Sequence, residues 1–309
     1  MAVNEHSKRI VTSLLRYPGG KSALYTYIEK LMNQNGLKNS KYYEPFAGGA
    51  GIALGLLSSK SSSEVVLNDA DYHIYCFWYA LLNENSKFID KIQNAKLTIN
   101  EWQKKKAIYN NPKKYSKFDV GFAAFYLNRC NRSGILFRSG PIGGYEQKGK
   151  WKLDARFNKP NLITRAESIG EFKDRICLKN MDALDFLKNC LPRGRGRDRI
   201  FVYIDPPYIS AGNRLYFNTY TNDDHKKLAD YLIQQTALKW LVTYDDSKFI
   251  YELYFSCQKW VFSIGYTLQK VQNGLEVLIA PKSLRLPNKN VPVHKKINIK
   301  YKVIQRNKR

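Results

Sequence analysis

The chain has 309 residues, 44% of them hydrophobic. That is enough for one well-filled α/β core with a sizeable insertion, and too apolar for a disordered chain. It carries 51 Lys and Arg against 26 Asp and Glu, a formal net charge of +25, so the expected partner is a polyanion such as nucleic acid, the bland alternative being a solvated basic surface.

In chain order, residues 22–34 read as a helix that follows the Gly19-Gly20 turn. Short apolar runs at 42–43, 65–67, 176–178, 200–204, 240–243, 261–264 and 277–280 read as buried strands. Four of these end in polar or proline turns: Glu44-Pro45-Phe46, Asn68-Asp69-Ala70-Asp71, Asp205-Pro206-Pro207-Tyr208 and Tyr244-Asp245-Asp246-Ser247. A helix over 51–59 follows a glycine loop, and another over 223–235 opens on Thr221, Asn222 and two aspartates, a good N-terminal signal. Strand and helix in alternation predict a parallel, doubly wound, Rossmann-like sheet. The alternation breaks between Leu81 and Asp174, a stretch rich in Arg, Lys, Gly and Asn and poor in strand pattern. It reads as a separate, mainly helical and loop module. The expected organisation is therefore a sheet domain of residues 1–80 and 175–283, an insertion of 81–174, and a basic tail of 284–309. From Lys282 to Arg309 there are ten Lys and Arg and no acid.

The loop Glu44-Pro45-Phe46-Ala47-Gly48-Gly49-Ala50-Gly51 follows the first strand and opens a helix. Glycines there let backbone approach a ligand closely and turn into the helix. Asp69 ends the next strand, where a carboxylate can accept from both hydroxyls of a ribose. The loop is not GxGxxG, and Glu44 would repel a pyrophosphate. It suits an adenosine-containing cofactor with a cationic amino-acid end.

Asp205-Pro206-Pro207-Tyr208 follows the run 200–204 at once. Two prolines cannot continue a central strand, so the chain leaves the sheet at its carboxyl edge, where open α/β sheets bind ligands. An exocyclic amino nitrogen is a poor nucleophile because its lone pair is delocalised into the ring. The Asp205 carboxylate and the Pro206 carbonyl, aimed at its two hydrogens, would localise that lone pair and stabilise charge that grows in the transition state. Pro207 completes the turn, and Tyr208 can stack on a base with a gain of about 1–3 kcal/mol. A base inside a duplex must be flipped out to reach such a pocket.

With these residues the chain resembles the Dam-type family (D12 class) of DNA adenine-N6 methyltransferases, over nearly all of its length except the last 25 or so residues. Arg16-Tyr17-Pro18-Gly19-Gly20-Lys21 resembles the family's N-terminal cofactor motif, usually Trp-Ala-Gly-Gly-Lys, with Tyr17 and Pro18 as departures. The resemblance implies a target-reading insertion and S-adenosylmethionine as cofactor. It implies cofactor contacts from Tyr17, Lys21, Glu44, Phe46, Ala47, Gly48, Gly49, Asp69, Asp182 and Asp205. Tyr126-Leu127-Asn128-Arg129 matches the opening of the family's insertion. Arg129, Arg132 and Arg138, with Asn128 beside them, become candidate contacts to duplex DNA, solvated loop charge being the alternative for the arginines and a structural hydrogen-bonding role in the loop the alternative for Asn128. A tyrosine that the family places near Arg132 is absent, so the recognition sequence is not carried over.

Two rival functions stand beside this one. The same chemistry serves amino-methyltransferases of cytosine N4 or of RNA, although cytosine enzymes more often open the motif with Ser. A non-catalytic nucleic-acid-binding protein on this fold is the other rival, against which both motifs are intact. A cognate restriction endonuclease is left open as a partner, and a monomer is the default. His225, after two aspartates, reads as a solvated first-turn residue. Trp78 and Trp240 read as core. Five scattered cysteines without CxxC spacing give no reason to expect a metal and suit a reducing cytoplasm. No apolar run approaches the ~20 residues of a membrane span.

Overall fold

The computed structural model describes residues 10–16, 20–209, 220–267 and 271–287. Seven strands form one sheet: β1 (Ser40–Glu44), β2 (Ser62–Asn68), β3 (Ile176–Lys179), β4 (Ile200–Ile204), β5 (Lys239–Asp245), β6 (Gln258–Thr267) and β7 (Val271–Ala280). Their order is β3-β2-β1-β4-β5-β7-β6. Each expected strand is present. The pairs from β3 through β5 are parallel, as expected, whereas β7 runs antiparallel to both β5 and β6. The reversal has a simple cause. Only residues 268–270 separate β6 from β7, far fewer than the dozen or so that a parallel crossover needs.

Helices cover both faces. A 3-10 turn (Ser22–Leu24), α1 (Tyr25–Gln34), α2 (Gly51–Ser58), α3 (Tyr72–Asn83), α4 (Asn85–Gln93), α5 (Ile99–Asn110), α6 (Lys117–Cys130) and α7 (Lys159–Gly170) lie on the first face. The second carries α8 (Ala183–Asn189), α9 (Asn222–Gln234) and α10 (Lys248–Leu253). Local sequence explains many of the starts. Asp71, Thr98, Ser116, Asn158, Asp182 and Ser247 each cap a helix N-terminus through the side chain, and Thr221 forms a capping box with Asp224.

Alternation along the strands separates two cores. Tyr42, Val65, Phe201, Tyr203, Leu241 and Leu278 face the first, while Tyr43, Val66, Val202, Val242, Val277 and Ile279 face the second. The insertion contributes to the first core rather than forming its own. Phe88 (α4), Phe118, Phe122 and Phe125 (α6) and Phe157 stack around Phe77 (α3) in a cluster continuous with the sheet. α3 itself runs across the expected boundary at residue 81, and α6 crosses it so closely that a Cβ on Gly121 would lie 2.1 Å from the Cys76 carbonyl oxygen. Between α6 and α7 the chain is irregular, with 3-10 turns at Arg132–Gly134 and Leu153–Arg156. No described helix is long and apolar enough to cross a membrane.

Candidate active site

The strand order reverses between β1 and β4, because the connections from β1 through β3 use one face and those after β3 the other. Right-handed crossovers diverging in this way leave a crevice at the carboxyl ends of those two strands. Glu44 ends β1 and Asp205 follows β4, two positions beyond the inward-facing Tyr42 and Tyr203, so both carboxylates are directed to the first face. The cavity there measures about 500 Å³ and is walled by the glycine loop, Asp69, Lys21 and Asp205-Pro206-Pro207-Tyr208.

The glycine loop is braced from three sides. Gly48 takes a φ of +43° and Ala50 one of +46°, turning the chain into α2. A Cβ on Gly51 would sit 2.8 Å from Ser22 Cβ, so only glycine lets α2 start against the N-terminal segment. Trp78 donates its indole N–H to the Gly48 carbonyl at 2.9 Å, which makes this core residue a support of the loop. The Gly48 and Asp71 N–H groups both donate to the Asp69 carboxylate, at 2.8 and 2.9 Å, fixing the acid against the loop. Asn68, fully buried, donates to the carbonyls of Pro45 and Met181 and accepts from the Met181 N–H, which ties the tips of β1, β2 and β3 together.

The cavity is acidic although the chain is strongly basic. Burial pushes the Asp69 carboxyl up to about 7, with Asp71 adding to the effect and the two N–H donors opposing it. Glu44 is 4% exposed, and its carboxyl stands well above the usual range through burial and then through Asp205 and Asp69. Its Oε2 is buried with no hydrogen-bond partner among the described residues, while Glu44 lines the cavity, where a cationic ligand group would compensate the acid. Phe46 meets the edge of Tyr220 at 5.5 Å and 87°, and both rings line the cavity. Asp182 is at its rim, exposed, accepting from the Leu184 and Asp185 N–H groups as the cap of α8. Ala47 and Gly49 also line it.

At the other end, Lys21 is buried beneath the DPPY turn. Its Nζ lies 3.4 Å from Asp205 Oδ1 and 3.2 Å from Glu276 Oε1, donates to the Tyr208 hydroxyl, and sits 4.8 Å from the Tyr208 ring centroid. Tyr208 in turn donates to Glu276 Oε1 at 2.5 Å. Thr243 donates to Asp205 Oδ1 at 2.7 Å and is paired with the Tyr203 hydroxyl at 2.9 Å. Burial raises the Asp205 carboxyl above its ordinary value, and the Lys21 ammonium and the Thr243 hydroxyl oppose that rise. Both of these contacts fall on Oδ1, so among the described residues Oδ2 is left to accept from a ligand. Asp205, Pro206, Pro207 and Tyr208 thus come together with Lys21, Glu44, Phe46, Gly48 and Asp69 around one space. Tyr17 lies outside the described residues, as do residues 288–309 of the basic tail.

Asn128 and Arg129 are placed differently from the sequence expectation. They are 2% and 8% exposed and cannot reach a DNA groove. Asn128 accepts from the Arg16 N–H at 2.7 Å and donates to the Arg16 and Gly134 carbonyls at 3.0 and 2.7 Å. Arg129 donates to the Leu14 carbonyl, and burial, with Arg165 and Arg16 nearby, lowers its guanidinium to about 9. Both residues anchor the segment that leads to Lys21. Arg132 and Arg138 are exposed on the irregular stretch after α6. His225 is also corrected: it is fully buried, faces the Tyr244 hydroxyl at 2.9 Å and packs on Tyr220 at 4.7 Å. Thr243, Asn68 and Glu276 were missed. Glu276 had a readable signal, since it is the one acid within the apolar run Leu275-Glu276-Val277-Leu278.

A family model described as the D12 class N6 adenine-specific DNA methyltransferase matches residues 17–269. The chain is 24% identical over 241 residues to the type II methyltransferase M.MjaIII of Methanocaldococcus jannaschii, covering 72% of this chain and 79% of that one. It is 26% identical over 214 residues to the type II methyltransferase M1.LlaDCHI of Lactococcus lactis subsp. cremoris, covering 67% and 69%. To the type II methyltransferase M.CviBI of Paramecium bursaria Chlorella virus NC1A it is 24% identical over 246 residues, covering 78% and 85%. The family match spans the glycine loop, the insertion and the DPPY turn alike, and with it the chain belongs to the D12 class of N6 adenine-specific DNA methyltransferases.

Proposed function

We propose that the chain transfers a methyl group from S-adenosylmethionine to the exocyclic N6 amino group of an adenine flipped out of duplex DNA. The observation that carries this reading is the convergence of Asp205-Pro206-Pro207-Tyr208, Glu44 and the glycine loop on one cavity at the switch point of the sheet. S-adenosylmethionine supplies an electrophilic methyl group on a sulfonium centre. The Glu44 carboxylate suits the cofactor's ammonium end, Asp69 suits the ribose hydroxyls, and Phe46 and Tyr220 offer an aromatic wall with Asp182 at its rim. Oδ2 of Asp205 and the Pro206 carbonyl would accept the two hydrogens of the target amine, while Thr243 holds the carboxylate from Oδ1. These acceptors act on charge that appears as the amine attacks, so they lower the barrier more than they tighten binding.

In this reading the irregular stretch after α6 faces DNA. It exposes Arg132, Arg138 and the rings of Tyr145 and Trp151, at 61% and 66%. Arg side chains read guanine in the major groove, and exposed rings stack on bases. Within it, residues 1–80 and 175–283 form the catalytic unit, 81–174 the target-reading unit and 284–309 a basic phosphate-binding tail. The test is incubation of the purified chain with S-adenosylmethionine and random-sequence duplex DNA, followed by nucleoside mass spectrometry. N6-methyladenine is the expected product, and N4-methylcytosine, or methylation of RNA alone, would overturn the reading.

A further inference from the structure

Glu276 has no place in the chemistry described so far, and its surroundings are unusual for an acid. It sits within the apolar run of β7, is 1% exposed, and belongs to a strand whose neighbouring inward residue is Leu278. A carboxylate in such a position is strongly destabilising unless it is paired. Its partners are the Lys21 ammonium at 3.2 Å and the Tyr208 hydroxyl at 2.5 Å, both on Oε1, and its Oε2 has no partner among the described residues. In the sheet its ladder neighbours are Asp245 on β5 and Phe262 on β6, so neither supplies a cation. Asp205, 3.4 Å from the same ammonium, completes the set.

We propose that Glu276 is a positioning residue of the methyl-transfer site: it anchors the Lys21 ammonium and the Tyr208 hydroxyl, and so keeps the Asp205 carboxylate an unneutralised acceptor for the target amine. The inference rests on the reading of this site as one of methyl transfer. Among the described residues two carboxylates share one ammonium here, and with both ionised these three groups carry one surplus negative charge. That surplus stabilises the positive charge that develops on the amine nitrogen during attack. Without the charge of Glu276, Lys21 would pair more strongly with Asp205 and draw its electron density away from the amine. Burial lifts the Glu276 carboxyl to about 7 against the pull of Lys21, with Asp205 adding to the rise and the Tyr208 hydroxyl opposing it, which places its ionisation in the neutral range.

Glu276→Gln tests this, because it keeps an acceptor oxygen for Tyr208 and nearly the same volume while removing the charge. In single-turnover assays at saturating donor and duplex DNA, its rate should fall by about 10- to 100-fold, as when an outer partner of a reacting group is lost. Donor affinity by calorimetry should change little, and the wild-type rise in rate through neutral pH should vanish. A readout without turnover is the isotope-labelled Tyr208 ring carbon that bears the hydroxyl. Its NMR resonance should titrate near neutral pH in the wild type and not in Glu276→Gln. A variant with wild-type rate and pH profile would overturn the inference alone. So would a rate loss matched by equal losses of donor affinity and thermal stability. A wild-type chain that methylates no duplex overturns the proposed function, and this inference with it.

Discussion

Replacing Asn128 with alanine separates a brace from a base reader. In the structure the side chain makes three hydrogen bonds, two to the backbone of Arg16 and one to the Gly134 carbonyl, at 2.7 to 3.0 Å. At about 0.5–1.5 kcal/mol net for each, their loss amounts to roughly 2–4 kcal/mol, because the abandoned backbone groups sit in a largely buried crevice. Gly134 approaches so closely that a Cβ there would meet the Arg16 carbonyl oxygen at 2.5 Å, which leaves little room for water to replace the amide. For a chain of 309 residues the melting temperature should fall by roughly 3–6 °C. The midpoint of urea denaturation, with unfolding followed by tryptophan fluorescence, measures the effect directly. Methyl transfer should weaken in parallel, since the freed segment carries Lys21. Asn128→Ala with the wild-type midpoint and lost sequence discrimination would refute this reasoning and restore Asn128 to the DNA interface.

Arg138→Ala should show the opposite pattern, with stability within about 0.5 kcal/mol of wild type and a cost of about 1–3 kcal/mol on the matched duplex with relaxed choice at one base position; binding isotherms on matched and mismatched duplexes check it. Asp69→Asn should weaken S-adenosylmethionine binding by about 1.5–3 kcal/mol, the value of a charge-assisted hydrogen bond, as read by calorimetry. His225 gives a pH signature. Burial lowers its imidazole from 6.5 to about 4, so its contribution to stability is present above pH 6.5 and is lost as the pH falls towards 4, a loss on the order of 3 kcal/mol. His225→Gln should flatten that part of the acid limb in urea titrations carried out across this range.

The sheet and the heart of the cavity were legible because strong local signals marked them. Apolar runs that stop at Glu44, Asn68-Asp69 and Asp205-Pro206 announce buried strands and their carboxyl ends, and a parallel sheet brings those ends together. The antiparallel β6–β7 pair was not legible: the expected runs 261–264 and 277–280 stand twelve residues apart, long enough for a crossover, and only in the structure do the strands extend to a three-residue connection. Nor were Asn128 and Arg129. Their partners, Arg16 and Leu14, lie 112 and 115 positions away, and nothing near an Asn-Arg pair announces that its donors will meet buried carbonyls rather than phosphates. His225 was misread by weighing its acidic neighbours instead of its helical spacing. His225, Leu228, Ala229 and Leu232 recur at i, i+3, i+4 and i+7, the pattern of a buried face, and all four are buried. The insertion looked separate because its strand pattern vanished. Its phenylalanines pack into the first core all the same, which sequence spacing alone does not reveal.

The measurement that bears most directly on the account is methylation-aware sequencing of DNA, with nucleoside mass spectrometry, from cells expressing either the wild-type chain or Asp205→Ala. The wild type should place N6-methyladenine in one defined sequence context, and Asp205→Ala should leave no methylated adenine while its purified form still binds S-adenosylmethionine. Equal adenine methylation by both chains, or a methylated base other than adenine, would contradict the assignment of Asp205 and of the cavity around it.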